Sequence, residues 1–327
     1  MSALRVDRAL VLTAGYGTRL HPLSAQRAKP AVPVGGEPLI QRILRWLASQ
    51  GVRDLVLNLH HRPDTLTTVV GDGADLDVRV RYSWEPTLLG SAGGPRRALD
   101  LLDVDPFWIV NGDTLTDVDL PAMADRHAAT GAQVTLALVP NPRPEHYGGV
   151  LVDGDRVIGF TAPGDRSPTF HFVGVQLASA SLFKPLAPDQ PLDSVGGLYR
   201  ERLARGRRDI GAFVSDAAFH DIGTPADYLA TCLALAPRAG LDRMVQTGER
   251  ARIAPDARLI RSVLWDDVTI EAGVVLTECV VGDRTRVPAG TRLTGKVLVP
   301  DGEVTARPGD ERAEGLLIAP LGGGGRR

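Results

Sequence analysis

A glycine-rich loop with one arginine and one lysine follows the first apolar run of the chain. Residues 10–12 form this run, which leads into Gly15 and Gly17, and Arg19 and Lys29 come shortly after. Glycines adopt backbone angles that other residues avoid, so main-chain N–H groups can come close to an anion. The two basic side chains supply the countercharge that a triphosphate needs. These residue types and their spacing predict a site for the phosphates of a nucleotide.

Two glycines after a strand also occur as a plain turn between a strand and a helix. This loop lacks the third glycine of the dinucleotide-binding fingerprint and the Gly-Lys-Ser/Thr ending of the P-loop. It contains instead the longer string Gly-x-Gly-Thr-Arg-Leu-x-Pro-Leu-Ser, with Lys-Pro following. Because so long a string rarely arises by chance, we favour phosphate binding over the plain turn.

The string resembles the opening signature of the sugar-1-phosphate nucleotidyltransferases, also called nucleotide-diphospho-sugar pyrophosphorylases. That signature is close to Leu-Ala-Ala-Gly-x-Gly-Thr-Arg-Leu-x-Pro-Leu-Thr-x-x-x-Pro-Lys-Pro, and this chain departs from it at Thr13, Ser24 and Ala28. The resemblance implies that the loop wraps a nucleoside triphosphate. It also implies that Arg19 steadies the departing pyrophosphate and that Lys29 contacts phosphate.

An aspartate follows the apolar strand predicted at 107–110. Asn111, Gly112 and Asp113 come directly after this strand, at the edge of the sheet where ligands bind. A turn or helix-cap aspartate is the plain alternative. Since a triphosphate normally arrives with Mg²⁺, which prefers carboxylate oxygen, an aspartate here is chemically expected. The string also resembles the family's Gly-Asp metal site, which implies that Asp113 is a catalytic residue and a Mg²⁺ ligand.

A second carboxylate, Asp221, begins the string Asp-Ile-Gly-Thr-Pro. Thr224 is predicted to cap the helix that follows, with Pro225 as its first residue, so capping does not account for Asp221. In the family, the aspartate of Asp-x-Gly-Thr-Pro is the second metal ligand. The resemblance therefore implies that Asp113 and Asp221 hold Mg²⁺.

The segment from Glu85 to Gly94 resembles the family's Leu-Gly-Thr-Ala-Gly segment, with serine in place of threonine. Its small residues let a flat base approach the backbone, although composition alone fits a loop before a helix at Pro95. The resemblance implies that Gly90 and Ser91 flank the nucleoside. The residues predicted to bind the nucleotide are then Ala14, Gly15, Gly17, Thr18, Gly90 and Ser91.

The sugar-phosphate side departs most from the family pattern. Many members read Glu-Lys-Pro where this chain reads Phe-Thr-Ala-Pro at 160–163, and their Asn-Ala-Gly becomes Phe-Val-Gly at 172–174. A phosphate-binding lysine and a sugar-binding amide are therefore missing. Arg166 and His171 are nearby candidates for such contacts, although ordinary surface positions fit them as well. The residues predicted to bind the sugar phosphate are Asn111, Gly112, Tyr147, Gly148 and Gly174.

Composition and charge argue against several classes of protein. The 327 residues carry 37 Lys and Arg against 39 Asp and Glu, which leaves no electrostatic footprint for nucleic acid or an anionic membrane. Cys232 and Cys279 lack the spacing of a metal site or disulfide framework, and we expect free thiols in a reducing compartment. No apolar run approaches a membrane span and no signal peptide is evident, so we expect a cytoplasmic protein.

Strand and helix patterns alternate through about the first 140 residues. Strands are predicted at 10–12, 54–59, 78–82, 107–110 and 134–139, and helices at 38–50, 94–102 and 120–129. This order predicts an α/β fold with a doubly wound, mostly parallel sheet that is Rossmann-like and, by the resemblance, glycosyltransferase-A-like. The glycine loop then follows the first strand, at the edge where such sheets bind ligands.

The pattern changes after Pro237. Aliphatic residues recur at every sixth position, at Val268, Val274 and Val280, and again at Val281, Val287, Leu293 and Val299. This period suits short parallel strands stacked in a β-helix. We predict a catalytic domain at 1–238, a left-handed hexapeptide-repeat β-helix at 239–310 and a disordered tail at 311–327. So short a stack leaves apolar ends exposed, which favours a homo-oligomer.

The resemblance implies Mg²⁺-dependent transfer of a nucleoside monophosphate from a nucleoside triphosphate to a sugar 1-phosphate. The string at 111–120 is most similar to mannose- and heptose-1-phosphate guanylyltransferases, so GTP and mannose 1-phosphate are favoured. A uridylyl- or thymidylyltransferase acting on N-acetylmuramate 1-phosphate or glucose 1-phosphate is the alternative. A non-catalytic subunit that senses a nucleotide sugar is a rival interpretation, favoured by the altered sugar side. An acyltransferase is a weaker one, because the repeat has no evident catalytic histidine.

Overall fold

The computed structural model describes residues 4–165, 167–236 and 246–322, with every side chain in them except that of Glu303. The chain divides into two compact units, neither of which is continuous in sequence. The first takes the described residues of Met1–Gly15 and Ile40–Phe219, and the second takes those of Tyr16–Leu39 and His220–Arg327. The predicted boundary at 238 lies outside the described residues. Most of the glycine loop belongs to the unit that contains the C-terminal repeat.

Within the described residues, α-helices occur where the sequence has apolar residues at helical spacing. They are α1 (Leu39–Ser49), α2 (Pro63–Val70), α3 (Gly90–Leu102), α4 (Leu120–Thr130), α5 (Arg200–Ala204) and α6 (Pro225–Leu235). In α1 the four apolar residues of one face, Ile40, Ile43, Leu44 and Leu47, are all buried. The short helix α2 was not predicted, and α3 begins four residues before its predicted start.

One large sheet forms the centre of the first unit. The strands up to residue 221 are β1 (Arg8–Leu12), β2 (Pro33–Val34), β3 (Glu37–Pro38), β4 (Asp54–Leu59), β5 (Arg79–Trp84), β6 (Phe107–Asn111), β7 (Thr114–Thr116), β8 (Val134–Pro140), β9 (Val150–Asp153), β10 (Arg156–Phe160), β11 (Phe170–Ala178), β12 (Ile210–Val214) and β13 (Phe219–Asp221). The sheet has nine strands in the order β5-β4-β1-β6-β11-β8-β12-β10-β9. Its buried side chains pack with those of α3 and of the π-helical stretch Ser194–Tyr199.

The sheet is mixed, which corrects the prediction of a mostly parallel one. Strands β5, β4, β1 and β6 run parallel, but β11 is antiparallel to both β6 and β8. Between β8 and β11 the described residues contain β9 and β10 and no helix. A chain that returns without a crossover helix comes back antiparallel, so the second half of the sheet loses the parallel pattern.

The second unit consists largely of short parallel strands. After residue 245 they are β14 (Gln246–Thr247), β15 (Arg252–Ile253), β16 (Arg258–Ile260), β17 (Val263–Leu264), β18 (Thr269–Ile270), β19 (Val275–Thr277), β20 (Val280–Val281), β21 (Arg286–Val287), β22 (Arg292–Thr294), β23 (Lys296–Pro300), β24 (Glu311–Ala313) and β25 (Leu316–Pro320). Three parallel stacks result, β14-β17-β20-β23, β15-β18-β21 and β16-β19-β22. We refer to them as the parallel stacks.

The repeat has a period of 17 residues, as the register in each stack and the hydrogen bond from Cys279 N to Ser262 Oγ show. Successive strands begin at 246, 252, 258 and 263, which are steps of six, six and five residues. The six-residue spacing of the aliphatic residues is therefore interrupted once in each turn. The series that ends at Val280 and the series that begins at Val281 are separated by this interruption. Both of these side chains are fully buried.

The segment from 311 is ordered through residue 320, which differs from the expected tail. Strand β25 pairs antiparallel with β23 along five residue pairs, and β24 pairs with β25. Leu316, Leu317 and Ile318 are buried. The final strand of a parallel stack exposes unpaired backbone groups, and this hairpin covers them. Residues 323–327 lie outside the described part of the chain.

Two expectations from composition can be compared with the structure. Cys232 and Cys279 are buried and free, as predicted. Across the described ranges, no helix has the length and apolar character needed to cross a membrane. A cytoplasmic location stays a prediction.

Asp119 caps α4, and its removal should destabilise the protein. Its side chain accepts the backbone N–H of Ala122 at 2.9 Å. Because an N-cap side chain satisfies a helix donor that otherwise lacks a partner, we expect Asp119→Ala to lower the free energy of unfolding by about 1 kcal/mol. Urea denaturation followed by circular dichroism measures this. Asp125→Ala, which removes an exposed aspartate from the same helix, is the control, and an equal loss in both variants would refute the cap.

Candidate active site

The carboxyl ends of β1 and β6 lie side by side at one edge of the large sheet. The strands pair in parallel with Leu12 opposite Asn111, and the backbone N–H of Gly112 donates to Leu12 O at 2.9 Å. Asp113 therefore lies beside the point where the chain leaves β1 for the glycine loop. The alternating strands and helices predicted this neighbourhood, because ligands bind at the carboxyl ends of parallel strands.

The backbone is open where the glycine loop begins. Gly15 is exposed, and a Cβ added there would meet no atom within 4 Å. Ala14, the preceding residue, is only 2% exposed. A main-chain N–H group at Gly15 is therefore accessible to an anion, as a phosphate-binding loop requires.

A buried polar network, which was not predicted from the sequence, lies behind the ends of β1 and β4. The backbone N–H of Thr13 donates to Asn58 Oδ1 at 2.6 Å, and Asn58 Nδ2 donates to Glu85 Oε1 at 2.7 Å. Glu85 Oε2 accepts the N–H of Leu89, the residue before α3, at 2.9 Å. Glu85 is fully buried. Glu85 directly follows β5, and a carboxylate at the end of a strand was the signal that could have revealed the network.

Gly90 and Ser91 form the first turn of α3, so the alternative of a loop before Pro95 is wrong. Gly90 has φ of +74°, and a Cβ there would lie 2.8 Å from Leu192 O. Ser91 Oγ accepts the N–H of Ser194 at 2.8 Å. The small size of Gly90 is therefore required by another segment of the chain, whatever the residue contributes to nucleotide binding.

Asn111 and Gly174 are in direct contact on the side predicted to bind the sugar phosphate. Gly174 lies in β11 with φ of +81°, and a Cβ there would be 2.6 Å from Asn111 Nδ2. Only glycine fits this position, because both the backbone angle and the space exclude a side chain. The structure thus places a side-chain amide against Gly174, although the asparagine of the usual Asn-Ala-Gly is absent from this chain.

An aromatic cluster surrounds Tyr147. The ring centroids of His146 and His171 lie 4.8 Å and 4.4 Å from that of Tyr147, and the Phe219 ring lies 4.6 Å from that of His171. Arg143 lies over the Tyr147 ring and donates to its hydroxyl at 2.5 Å. The adjacent Gly148 is exposed, but a Cβ there would lie 2.8 Å from a backbone oxygen at position 161. These contacts place Tyr147 among aromatic rings, as a surface that packs against a sugar would require.

His171 is uncharged at neutral pH. Burial, together with the nearby charge of Arg143, lowers the pKa of His171 to about 4. Its Nδ1 atom is buried without a hydrogen-bond partner among the described residues. His171 can therefore contact a sugar as a neutral ring, and it does not supply a positive charge for phosphate. Arg166, the other candidate, lies outside the described residues.

In the second unit, the glycine loop folds so that Gly17 lies against Lys29. Gly17 has φ of +61°, and a Cβ added to it would be 3.1 Å from Lys29 Cβ and 3.3 Å from Ser24 Cβ. Lys29 is only 7% exposed, whereas Thr18 and Arg19 are exposed. The conformation of Gly17 thus lets the start of the loop pack closely against Lys29.

Arg19 and Asp221 meet at Gly223, a neighbourhood that the resemblance implied. A Cβ at Gly223 would lie 2.9 Å from Asp221 Oδ2, 3.2 Å from Arg19 Nη1 and 3.2 Å from Asp227 Oδ2. Thr224 caps α6 as predicted, with its side chain accepting from Asp227 N and the Asp227 carboxylate accepting from Thr224 N. Asp227, which the sequence analysis did not select, takes part in this capping box. Asp221 is left for another role, as expected.

The carboxylates suit a hard cation that arrives with its substrate. The described residues contain no group of three or more His, Cys, Asp or Glu side chains arranged to hold a metal ion. Mg²⁺ is commonly held by one or two carboxylates, and substrate phosphates and water supply its other ligands. Asp113 and Asp221, each partly exposed, are donors of that kind. Asp113 belongs to the first unit and Asp221 to the second.

Comparison with known proteins identifies the family. The profile of the nucleotidyl transferase family matches residues 8–236. The chain belongs to this family. The match confirms the resemblance seen in the glycine loop.

Two relatives match along most of their length. The chain is 29% identical over 303 residues to the mannose-1-phosphate guanylyltransferase of Mycobacterium tuberculosis, and the match covers 84% of each protein. It is 30% identical over 220 residues to the D-glycero-alpha-D-manno-heptose 1-phosphate guanylyltransferase of Aneurinibacillus thermoaerophilus, covering 67% of this chain and 94% of that enzyme.

A solved structure confirms the fold class. The crystal structure of HddC from Yersinia pseudotuberculosis complexed with GMP-PN is similar with a TM-score of 0.60 and 24% identity. The similarity covers 69% of this chain and 98% of that one. At this identity the comparison supports a shared α/β fold.

Removing the Glu85 carboxylate should destabilise the first unit. Glu85→Ala leaves two buried N–H donors without acceptors, so we expect the free energy of unfolding to fall by about 2–4 kcal/mol. Glu85→Gln keeps one acceptor oxygen and should lose about half as much. Urea denaturation measures both, with the exposed Glu145→Ala as control. If Glu85→Ala were as stable as the control, the network would have no structural importance.

Acid should destabilise the protein through His171. The unfolded chain binds a proton at this residue below about pH 6.5, whereas the folded protein does so only near pH 4. The free energy of unfolding should therefore fall with pH through this window, by at most about 3 kcal/mol from His171. His171→Phe should flatten that part of a stability profile measured from pH 7 to 4.

His146→Phe is the matched control for this measurement, because it removes an exposed histidine from the same cluster. We expect the control to keep the wild-type slope between pH 6.5 and 4. An unchanged slope in His171→Phe would contradict the lowered pKa of His171.

Proposed function

We propose that this protein transfers GMP from GTP to a sugar 1-phosphate of the mannose or heptose type, releasing pyrophosphate. The observation that carries the proposal is the match to a mannose-1-phosphate guanylyltransferase over 84% of both chains. The family match over 8–236 and the similar fold of a protein crystallised with GMP-PN support the same reaction and the same base.

The glycine loop provides the nucleotide side of the proposed site. Arg19 and Lys29 neutralise the triphosphate, with Arg19 on the departing pyrophosphate. Support comes from the open backbone at Gly15 and from the turn in which Gly17 lies against Lys29. The residues assigned to nucleotide binding are Ala14, Gly15, Gly17, Thr18, Gly90 and Ser91.

Asn111, Gly112, Tyr147, Gly148 and Gly174 provide the sugar-phosphate side. The contact between Asn111 and Gly174 and the aromatic rings around Tyr147 support this assignment. Neutral His171 extends the aromatic surface, which suits the ring of a sugar better than a second phosphate. The lysine is missing at 160–163, and Arg143, above the Tyr147 ring, brings a positive charge to this surface.

The reaction needs positioned charge and no general base. The attacking oxygen belongs to a phosphate that is already an anion at neutral pH, so the protein has no proton to remove. Asp113 and Asp221 would hold Mg²⁺, which when bound neutralises phosphate charge and aligns the α-phosphate with its attacker. Arg19 and Lys29 stabilise the charge on the leaving pyrophosphate.

Two structural expectations belong to the same proposal. The parallel stacks wind as a β-helix, which their 17-residue period and parallel register support, and the family resemblance implies that it is left-handed. The protein assembles as a homo-oligomer in the cytoplasm, where its nucleotide substrate is made.

Pyrophosphate release tests the function directly. GTP, UTP, dTTP, ATP and CTP are each paired with the 1-phosphates of mannose, heptose, glucose and N-acetylmuramate in the presence of Mg²⁺. We expect the largest kcat/KM with GTP and a manno-configured sugar. Release with UTP or dTTP alone would favour the uridylyl- or thymidylyltransferase alternative. No release from a protein that still binds GTP would favour the regulatory subunit.

Asp113→Asn should abolish most of this activity without unfolding the protein. Loss of a metal-binding charge costs several kcal/mol in the transition state, so we expect kcat/KM to fall by about 100-fold or more. Asp125→Asn, an exposed aspartate of α4, should keep full activity. Activity of Asp113→Asn within a factor of about 3 of the wild type would remove Asp113 from the catalytic set.

A further inference from the structure

The glycine loop is bound by the C-terminal part of its own unit. Gln26 and Arg27 lie in the loop between the predicted phosphate-binding residues, at positions that the family signature leaves open. Gln26 is 6% exposed, and the Arg27 side chain is 16% exposed. Burial of a glutamine and an arginine at consecutive positions requires specific partners.

The partner of Gln26 is the backbone of Asp283, at the end of the turn after β20. Gln26 Nε2 donates to Asp283 O at 3.0 Å, and Gln26 Oε1 accepts from Asp283 N at 2.9 Å. The amide therefore pairs with both polar backbone groups of one residue. Such a pairing fixes the direction of the glutamine side chain.

Gly282 makes the space for this pairing. A Cβ added to Gly282 would lie 2.2 Å from Gln26 Oε1, a distance that no side chain tolerates. Gly282 does not have the positive φ found at Gly273 and Gly290 of the same repeat. The turn geometry therefore does not require glycine at 282, whereas the close approach of Gln26, and of Val299 Cγ1 at 2.9 Å, does.

Arg27 is held by two carboxylates and an aromatic ring. Its Nε donates to Asp283 Oδ2 at 2.7 Å, and its Nη2 donates to Asp283 Oδ1 and to Asp266 Oδ2, both at 2.6 Å. The guanidinium lies 5.3 Å from the centroid of the Trp265 ring. Burial alone would lower the pKa of Arg27, but its bonds to the two carboxylates outweigh burial and raise the pKa.

A second contact is made by the residues that flank the exposed Arg19. His21 Nε2 lies 3.0 Å from Asp310 Oδ2, and Arg307 Nη1 donates to Thr18 O at 2.8 Å. Asp310 also accepts the backbone N–H of Arg307 at 2.7 Å. Residues 307–310 lie between β23 and β24, so this contact comes from the same C-terminal part of the chain.

We propose that Gln26 and Arg27 are positioning residues, through which the parallel stacks hold the glycine loop in the shape that binds the triphosphate. Thr18 and His21 of the second contact flank Arg19, and Lys29 comes two residues after Arg27. The loop has only short 3₁₀ turns of its own, at Thr18–Leu20, Leu23–Ala25 and Lys29–Ala31. Its shape is therefore set by its partners, and the C-terminal repeat becomes part of the catalytic machinery. This inference rests on the proposed function only for its kinetic effect.

The test uses the full chain and compares five substitutions with matched controls. Arg27→Ala and Asp283→Asn remove the ion pair, and the controls Arg250→Ala and Asp267→Asn remove an exposed ion pair of the same stacks, in which Arg250 Nε donates to Asp267 Oδ1 at 2.6 Å. Gly282→Ala fills the space for Gln26 without changing a charge, and its control Gly302→Ala adds the same methyl group where a Cβ meets nothing within 4 Å. Arg27→Lys keeps the positive charge, and the double variant combines Arg27→Ala with Gly282→Ala.

Hydrogen exchange of the backbone amides at 16–31 is the first readout, because it does not depend on activity. We expect Arg27→Ala, Asp283→Asn and Gly282→Ala each to speed exchange there by about tenfold or more, while amides of β4 keep the wild-type rate. The controls should leave both regions unchanged. Equal exchange at 16–31 in Arg27→Ala and Arg250→Ala would overturn the proposal.

Steady-state kinetics with GTP and the best sugar 1-phosphate is the second readout. Misplaced phosphate-binding groups should raise KM for GTP and lower kcat, by about tenfold or more in kcat/KM. A loss of stability alone would reduce the fraction of active enzyme and leave KM unchanged. An unchanged KM in both Arg27→Ala and Gly282→Ala would therefore overturn the positioning role.

The remaining variants distinguish release of the glycine loop from a general loss of stability. Lysine keeps the charge but cannot pair bidentately with Asp283 and reach Asp266 as well, so Arg27→Lys should be intermediate. The double variant should have the same exchange rate and kcat/KM as the more impaired of its two single variants, because both substitutions release the same loop. Additive losses of kcat/KM would show that the two substitutions act independently and would contradict a single set of contacts that holds the loop. If Arg27→Ala does not fold, Gly282→Ala and Arg27→Lys decide the question.

A wild-type protein that shows no pyrophosphate release with any substrate pair would refute the proposed function. The exchange measurement would then still decide whether the parallel stacks hold the loop. The two proposals therefore fail in distinguishable ways.

Discussion

The ion pair between Arg27 and its two aspartates is the interaction on which the shape of the glycine loop depends. A buried guanidinium that loses a carboxylate partner remains as an unpaired charge, so its bonds are kept together or lost together. Asp283 contributes twice, since its side chain binds Arg27 and its backbone binds Gln26. This all-or-none character explains why Tyr16–Leu39 forms a compact unit with a distant part of the sequence.

Within the first unit, buried hydrogen bonds hold the segment that precedes the glycine loop. Thr13, the last polar residue before Gly15, is bound through Asn58 to the carboxylate of Glu85. Every bond in this chain of contacts lies in the interior, where an unsatisfied group is costly. The segment before the loop is therefore rigid where it leaves the sheet, and Gly15 is the first residue with an open side.

The sequence predicted what is local and periodic. Apolar spacing identified α1, β4 and the recurrence in the parallel stacks, and the resemblance identified the family and predicted the site residues. Contacts between distant segments could not be predicted, because no local pattern links Gln26 to Gly282 or Asn58 to Glu85. The mixed sheet was missed for a related reason, since strand direction after β8 depends on the absence of a crossover helix. The prediction of a disordered tail missed the apolar strand β25, which follows a polar stretch at 307–312.

The glycines of the signature segments do not all serve the ligand. At Gly90, Gly174 and Gly223, an added Cβ would collide with protein atoms that lie within 3 Å. These residues therefore allow segments of the chain to approach one another, and a substitution there would disturb the site by moving its own walls. Gly15 differs, because a Cβ there would meet nothing within 4 Å. The absence of a side chain thus has two different consequences: it leaves open space at Gly15, and it allows close contacts between chain segments at the other three positions.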